Sequence, residues 1–428
     1  MIQGNRRLNG TIQISGMKNA ALPILFACAL TRETCILDNV PDVSDVRATL
    51  EILSEMGVDV QMRSRTCIEI NAAYFAAGSS SDKLVQKIRA SSYLMGVELG
   101  RAGHTRIAFP GGCSIGARPL DQHLKGFEIL GAEMTVDGDG LHGEGKLHEG
   151  KIMLDIPSVG ATVNLILASV LTPGTITIGN AAREPHIVDL ANFLNMCGAN
   201  IYGAGTSEIK IEGVATLHGC RHTIIPDMIE AGTYMAAVAA TGGCITLQNV
   251  IPKHLESIIG KLTEMGVTVT EGDNFVTVSS EGQLKSAHIT TAVYPGFPTD
   301  MHPQFAVLLC LAQGNGTITE KIWENRFAYV AQLRKAGATI MQNGNVADFQ
   351  GGQTLTGSPL VATDLRAGAA MVIAALAAEG VSDITNIHYI DRGYDGLIEK
   401  LTALGAYIQR VGTPDVEDSD EPLQRSCN

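Results

Sequence analysis

Six stretches of this chain carry apolar or small residues on nearly every side: 20–30, 91–99, 161–171, 233–240, 304–312 and 367–378. A helix without a polar face belongs in an interior, so each stretch predicts a buried helix. Between them a second pattern recurs, in which a helical stretch ends at glycine and a strand follows: Met56-Gly57-Val58, Leu130-Gly131-Ala132, Cys197-Gly198-Ala199, Met265-Gly266-Val267, Ala336-Gly337-Ala338 and Leu404-Gly405-Ala406. Four positions before these glycines stand Leu53, Phe127, Leu194, Leu262, Leu333 and Leu401. That offset puts an apolar side chain and the helix end on one face, with glycine as the left-handed cap. Short β-branched runs such as 175–178 and 316–319 predict strands.

Successive cap glycines are 74, 67, 68, 71 and 68 residues apart. Near-constant spacing over six occurrences marks an internal repeat. The simplest packing buries the apolar helices and turns the sheets outward, with three units in each globular half. A repeat establishes architecture only, because fold does not fix function.

Composition narrows the class. A chain of 428 residues, 45% hydrophobic and 18% charged, is long enough for at least two cores. The start, from Met1 to Leu8, has no apolar signal core, and the longest apolar run, 20–30, falls short of the roughly 18 residues a membrane helix needs. A cytoplasmic protein without membrane contact is expected. The net charge of −13 argues against a nucleic-acid surface, which is basic. Any anionic ligand needs a local cluster of Lys and Arg. Nine cysteines show no CxxC or Cys/His metal-ligand spacing, and their odd number argues against a disulfide framework. They read as reduced thiols, most of them core filler. Residues 412–428, rich in Asp and Glu, fall outside the repeat and read as a flexible acidic tail.

One turn breaks the repeat. The segment Phe109-Pro110-Gly111-Gly112-Cys113-Ser114-Ile115-Gly116, followed by Ala117-Arg118-Pro119, has glycines that the corresponding turns 180–185 and 249–253 lack. Such a loop suits a lid that brings a thiol and a guanidinium over a ligand. A thiol of pKa ~8.5 can donate a proton or, as thiolate, attack, and thiol chemistry leaves both roles open for Cys113. Lys18-Asn19 opens an inner helix, where backbone N–H groups attract anions. Asp300 opens another and becomes a general base where a substrate hydroxyl reaches it. Arg89, Glu324, Arg326, Asp364, Arg366 and Arg392 share this placement beside inner helices, so the cations of both halves would converge on a cleft. There is no Walker loop, no GxGxxG after a strand, no HExxH and no GxSxG. His123 is the one histidine shortly after the loop, and nothing marks a Cys–His dyad.

Ser15 through Pro23, Pro110 through Pro119, Ser158-Val159-Gly160-Ala161-Thr162, Ala182-Arg183-Glu184-Pro185, Phe297-Pro298-Thr299-Asp300, Glu324-Asn325-Arg326-Phe327, Thr363 through Ala367 and Asp391-Arg392-Gly393-Tyr394 together resemble the UDP-N-acetylglucosamine 1-carboxyvinyltransferases, over essentially 1–411. The resemblance implies a two-domain inside-out α/β barrel of the enolpyruvyl transferase fold. It also implies transfer of the enolpyruvyl group of phosphoenolpyruvate to the 3-hydroxyl of UDP-N-acetylglucosamine without metal or organic cofactor, at the opening of bacterial peptidoglycan synthesis. One domain would span 18–225 and carry the Cys113 loop, and the other would join 1–17 to 226–411. By the same resemblance Cys113 would protonate the enolpyruvate methylene carbon and form an adduct. Asp300 would accept the sugar hydroxyl proton, and Lys18, Arg118 and Arg392 would hold phosphate and carboxylate. Asn19, Arg89, Pro119, Leu120, Asp121, Gln122, Ile156, Pro157, Ser158, Val159 and Ile322 match sugar-nucleotide contacts, while Glu324, Arg326, Asp364 and Arg366 would line the cleft.

The chain departs from that pattern at Ser44, where the family carries a Lys, so another cation would have to serve closure; Trp323 is a second unusual residue, read as packing. Two rivals follow. The shikimate-pathway enolpyruvyl transferase shares the sixfold architecture but lacks such a Cys-bearing loop. A silent paralogue that senses the sugar nucleotide would fit the missing Lys, but not the presence of Lys18, Cys113, Asp300 and Arg392 together.

Overall fold

The computed structural model describes residues 1–111 and 120–412. Cys113, Arg118, Pro119 and the tail from 413 onward lie outside the described residues. The six apolar stretches form the helices Lys18–Ala27, Leu94–Ala102, Val159–Ser169, Met228–Thr241, His302–Leu311 and Leu365–Ala377. Phe26, Val97, Leu165, Met235, Leu308 and Met371, one on each, are fully buried, and each such side chain contributes about 1.5–3 kcal/mol. The second helix begins later than its apolar pattern, because Arg89–Tyr93 forms a 3-10 turn first. Helix Leu94–Ala102 approaches Val159–Ser169 closely through Gly96, whose N–H donates to Asn164 Oδ1 at 2.9 Å. A Cβ on Gly96 would stand 2.3 Å from the Asn164 carbonyl oxygen, so only glycine fits. The last three inner helices also pack against one another.

All six cap glycines are left-handed, with φ between 81° and 101°. Beyond each glycine the next N–H returns to the carbonyl of the predicted apolar residue: Val58 to Leu53, Ala132 to Phe127, Ala199 to Leu194, Val267 to Leu262, Ala338 to Leu333 and Ala406 to Leu401, all at 3.0 Å. Six Schellman caps thus reverse the chain from a half-exposed helix into a strand at the same point of every unit.

Each unit carries one sheet on the outside. In five of the six sheets a strand pairs in parallel with the strand after the inner helix, and two antiparallel strands follow. The sheet of the second unit has three strands among the described residues, His104–Ile107, Leu141–Glu144 and Glu133–Val136. Three sheets are built within 34–223. The other three take strands from 243–408 together with Leu8–Gln13, parallel to Gly243–Gln248, and Ile2–Gln3, between Val381–Thr385 and Tyr407–Ile408. The chain passes between these two sets twice, and the two passages are tied side by side: Met17 N–H donates to Ile225 O at 2.7 Å and Asp227 N–H to Ser15 O at 2.9 Å.

A second repeat signal lay unread in the sequence. Asn39, Asn180, Asn249 and Asn386 end the strand after the inner helix in left-handed conformation, with φ of 54° to 57°. Asparagine tolerates this region better than other non-glycine residues. In the fifth unit, Glu320 follows strand Gly316–Thr319 at the corresponding place, and this exchange shapes the site.

Candidate active site

Lys18 is the first residue of helix Lys18–Ala27 and is buried. Its ammonium pairs with Asp45 Oδ2 at 3.0 Å, and Asp45 Oδ1 accepts from Arg392 Nε at 2.9 Å. A carboxylate that the sequence reading passed over thereby joins a cation of the first unit to one of the sixth. Burial pushes the Asp45 carboxyl up, but attraction from Lys18 and Arg392 outweighs it and holds the group below the usual carboxylate range. Asn19 is half-buried on the next position of the same helix. Ser44 is exposed, and the nearby Arg47 and Arg65 both pair with Asp42.

Asp300 sits in the 3-10 turn Thr299–Met301, which leads into helix His302–Leu311. Arg326 reaches its Oδ1 at 3.1 Å, and Arg366 reaches its Oδ2 through NH2 at 3.0 Å. Burial raises the Asp300 carboxyl, yet Arg366 and Arg326, with Lys18 beyond them, bring it far below its ordinary value. Asp364 caps helix Leu365–Ala377, accepting from the backbone N–H groups of Arg366 and Ala367, and so fixes where Arg366 begins. The Arg366 guanidinium also lies over the Tyr394 ring, 5.4 Å from its centroid.

Glu320 organises this side of the site. Its carboxylate accepts from Thr291 Oγ1 at 2.8 Å, Thr299 Oγ1 at 2.9 Å and the backbone N–H of Ile322 at 2.7 Å, and pairs with His302 Nδ1 at 2.8 Å. Tyr329 holds the other His302 nitrogen at 2.6 Å. One side chain therefore anchors both the turn bearing Asp300 and the segment bearing Ile322, Trp323 and Glu324. The Trp323 N–H also donates to Glu320, at 3.1 Å. Ile322 and Trp323 are half-buried, Glu324 is exposed and Arg326 is buried.

The predicted sugar-nucleotide stretches meet each other. Leu120 caps helix Asp121–Ile129, and Gln122 bonds Asp155 twice, donating from Nε2 at 2.9 Å and accepting the Asp155 N–H at 2.8 Å. That contact holds 120–122 against Ile156, Pro157 and Ser158. The hydroxyl of Ser158 caps helix Val159–Ser169 by accepting from the Ala161 N–H; Ile156 and Pro157 are exposed. Arg89 begins its 3-10 turn within electrostatic reach of His123.

Two buried histidines complete the site. Burial lowers His123 to about 4, helped by Arg89, and lowers His186 to about 4 against the opposing pull of Asp300. Both are therefore neutral rings. Among the described residues, neither nitrogen of His186 nor the Nδ1 of His123 has a hydrogen-bond partner.

The arrangement collects the cations Lys18, Arg326, Arg366 and Arg392, the carboxylates Asp45 and Asp300 and the neutral imidazoles His123 and His186 from separate segments of the chain, chemistry suited to an anionic substrate and proton transfer. Relatives agree with it. The family described as EPSP synthase (3-phosphoshikimate 1-carboxyvinyltransferase) matches residues 2–401. A UDP-N-acetylglucosamine 1-carboxyvinyltransferase of Caldanaerobacter subterraneus subsp. tengcongensis is 50% identical over 96% of this chain and 99% of its own length. One from Clostridium acetobutylicum is 49% identical over 96% and 98%. Among solved structures, the enolpyruvyl transferase NikO from Streptomyces tendae superposes with a TM-score of 0.86 at 28% identity, covering 96% of this chain and 98% of its own. EPSP synthase from Acinetobacter baumannii, at a TM-score of 0.74 and 18% identity over 96% of this chain and 99% of its own, shares the fold. The chain belongs to the EPSP synthase family of enolpyruvyl transferases, and within it to the UDP-N-acetylglucosamine 1-carboxyvinyltransferases.

Proposed function

We propose that Lys18, Arg118 and Arg392 hold the phosphate and carboxylate of phosphoenolpyruvate, that Cys113 protonates its methylene carbon, and that Asp300 takes the proton of the sugar 3-hydroxyl. The chain transfers the enolpyruvyl group of phosphoenolpyruvate to UDP-N-acetylglucosamine, the first committed step of peptidoglycan synthesis. In addition, the sugar 3-oxygen bonds to C2 of the enolpyruvate while C3 gains a proton. In elimination, C3 gives up a proton and the C2–O bond to phosphate breaks. Cations placed where negative charge departs supply the largest part of such a barrier reduction, and acid–base help adds ~10²–10⁴ in rate.

The convergence of Lys18 and Arg392 on Asp45, beside Arg326 and Arg366 on Asp300, supports this reading most directly. With two guanidiniums on it, Asp300 is a weak base. On this reading the sugar nucleotide draws at least one of them away, which raises the carboxylate's proton affinity as the hydroxyl arrives. Asn19, Arg89, Pro119, Leu120, Asp121, Gln122, Ile156, Pro157, Ser158, Val159 and Ile322 take the sugar nucleotide, with Glu324 and Asp364 at the cleft wall; His123 and His186 offer it neutral hydrogen-bonding groups. The two bodies, 18–225 and 1–17 with 226–411, close around the paired passages at 15–17 and 225–227. No described helix is long and apolar enough to cross a membrane, in keeping with a cytoplasmic enzyme serving cell-wall growth, cell shape and division.

Phosphate release decides the matter. Mixing the protein with both substrates releases phosphate, and Cys113→Ala abolishes the release. Absence of release at saturating substrate overturns the reading and leaves a sugar-nucleotide sensor. The epoxide fosfomycin labels Cys113, and mass spectrometry that finds the label on another cysteine, or none, removes Cys113 from its role.

A further inference from the structure

Cysteines that share no ligand spacing in the sequence come together in the fold. The Sγ atoms of Cys35, Cys197 and Cys220 all lie within 4.8 Å of one another, with Cys197 and Cys220 3.3 Å apart. Cys28 adds a fourth sulfur, hydrogen-bonded to Cys35. We infer that Cys35, Cys197 and Cys220, with Cys28 beside them, form a binding site for one thiophilic d10 cation of the zinc type.

Geometry favours the assignment. Zinc–thiolate bonds of about 2.3 Å place the sulfurs of one tetrahedral centre about 3.8 Å apart, a separation the nest reaches with small side-chain shifts. The backbone that carries the sulfurs is already fixed. Cys35 lies in strand Thr34–Asp38, whose Ile36 N–H donates to the Cys220 carbonyl at 2.8 Å. Cys197 caps helix Pro185–Met196 just before the left-handed Gly198, and Cys28 opens the turn Cys28–Leu30. Cys28, Cys35 and Cys197 are buried and Cys220 is partly exposed, which leaves a way in for the ion.

Binding replaces thiol protons with the metal and releases them to solvent, with no change of oxidation state. The ion would clamp the first unit to the third, at the far end of the helix that begins with Lys18, and so would act on stability before chemistry.

The test uses the full chain, freed of metal under reducing conditions and titrated with Cd2+ while the thiolate-to-cadmium absorption is followed. About one equivalent binds per chain with release of protons. Affinity falls roughly tenfold or more in Cys35→Ser and Cys197→Ser, and is unchanged in Cys244→Ser, whose exposed thiol lies outside the nest. Cys220→Ser, at a partly exposed position, repeats the loss with the far-ultraviolet dichroism of the parent, which separates a lost ligand from a lost fold. Zinc added to the metal-free parent raises its melting temperature, and a chelator reverses the gain. Full-strength binding in Cys35→Ser and Cys220→Ser, binding that disappears in Cys113→Ala, or a Cys197–Cys220 disulfide in place of metal after purification in air overturns the inference.

Discussion

The Asp45 carboxylate stands 3.0 Å from the Lys18 ammonium, both buried, so the Lys18 cation is already charge-balanced. On the proposed role of Lys18, substrate phosphate competes with this carboxylate. Asp45→Asn keeps the shape and removes the charge, leaving Lys18 and Arg392 without their buried anion, at a cost of roughly 3–5 kcal/mol of folding stability. The freed cations bind inorganic phosphate several-fold more tightly than the parent does. Urea denaturation checks the first effect and calorimetric titration with phosphate the second; phosphate affinity that falls would show that Asp45 only positions the cations.

Because Asp300 is held below the carboxylate range by Arg366 and Arg326 against the effect of burial, it is ionised throughout the neutral range. The acid limb of kcat/KM therefore does not belong to Asp300 at any pH above about 4. Asp300→Asn lowers kcat by ~10²–10⁴ and leaves the pH of that limb where it was. A limb that moves in the variant would assign the ionisation to Asp300.

His123 and His186 are both lowered to about 4 in the folded protein, against ~6.5 in the unfolded chain. For a histidine with a depressed pKa, the unfolded state binds the proton more readily. Its contribution to stability is complete above ~6.5 and is lost as pH falls toward the folded value. Unfolding at pH ~5 should thus take up about two protons through these rings, measurable from the pH dependence of denaturation, and His186→Asn should remove about one of them.

The six caps differ in what surrounds them. Around Gly266 the nearest atom to an added Cβ is the Gln283 carbonyl oxygen at 3.9 Å, so Gly266→Ala costs only the left-handed strain of about 1–2 kcal/mol. At Gly57 the Tyr74 carbonyl oxygen would stand 2.6 Å from that Cβ, and the backbone must shift. Gly57→Ala therefore destabilises more than Gly266→Ala, and equal losses in a denaturant titration would remove the steric argument.

Glu320 is a positioning residue. Glu320→Gln removes the charged acceptor of Thr291, Thr299 and the neutral His302 ring and weakens the hold on the Asp300 turn, at a cost of roughly 1.5–3 kcal/mol. On the proposed role of Asp300, kcat falls more than KM rises, because the general base is displaced while the sugar-nucleotide contacts at 120–122 and 156–159 are untouched. Steady-state kinetics with each substrate varied in turn separates the two effects.

The chain by itself determined everything that repeats locally. Apolar residues on every side of a helix demand burial, and a glycine after the last turn demands a Schellman cap, so the six units and their inward helices were legible from 53–58 to 401–406. The charged residues at the inner-helix starts were legible too, since they stand beside apolar runs. Which of them meet was decided by how the units sit side by side. Asp45 joins Lys18 to Arg392, 347 residues further along the chain than Asp45, and Glu320, standing where four other units carry a left-handed asparagine, gathers Thr291, Thr299 and His302. The nest of Cys28, Cys35, Cys197 and Cys220 exists only because the first and third units adjoin. Burial is written in local periodicity, but pairing between distant side chains depends on the closure of the whole barrel, and no short window of sequence contains it.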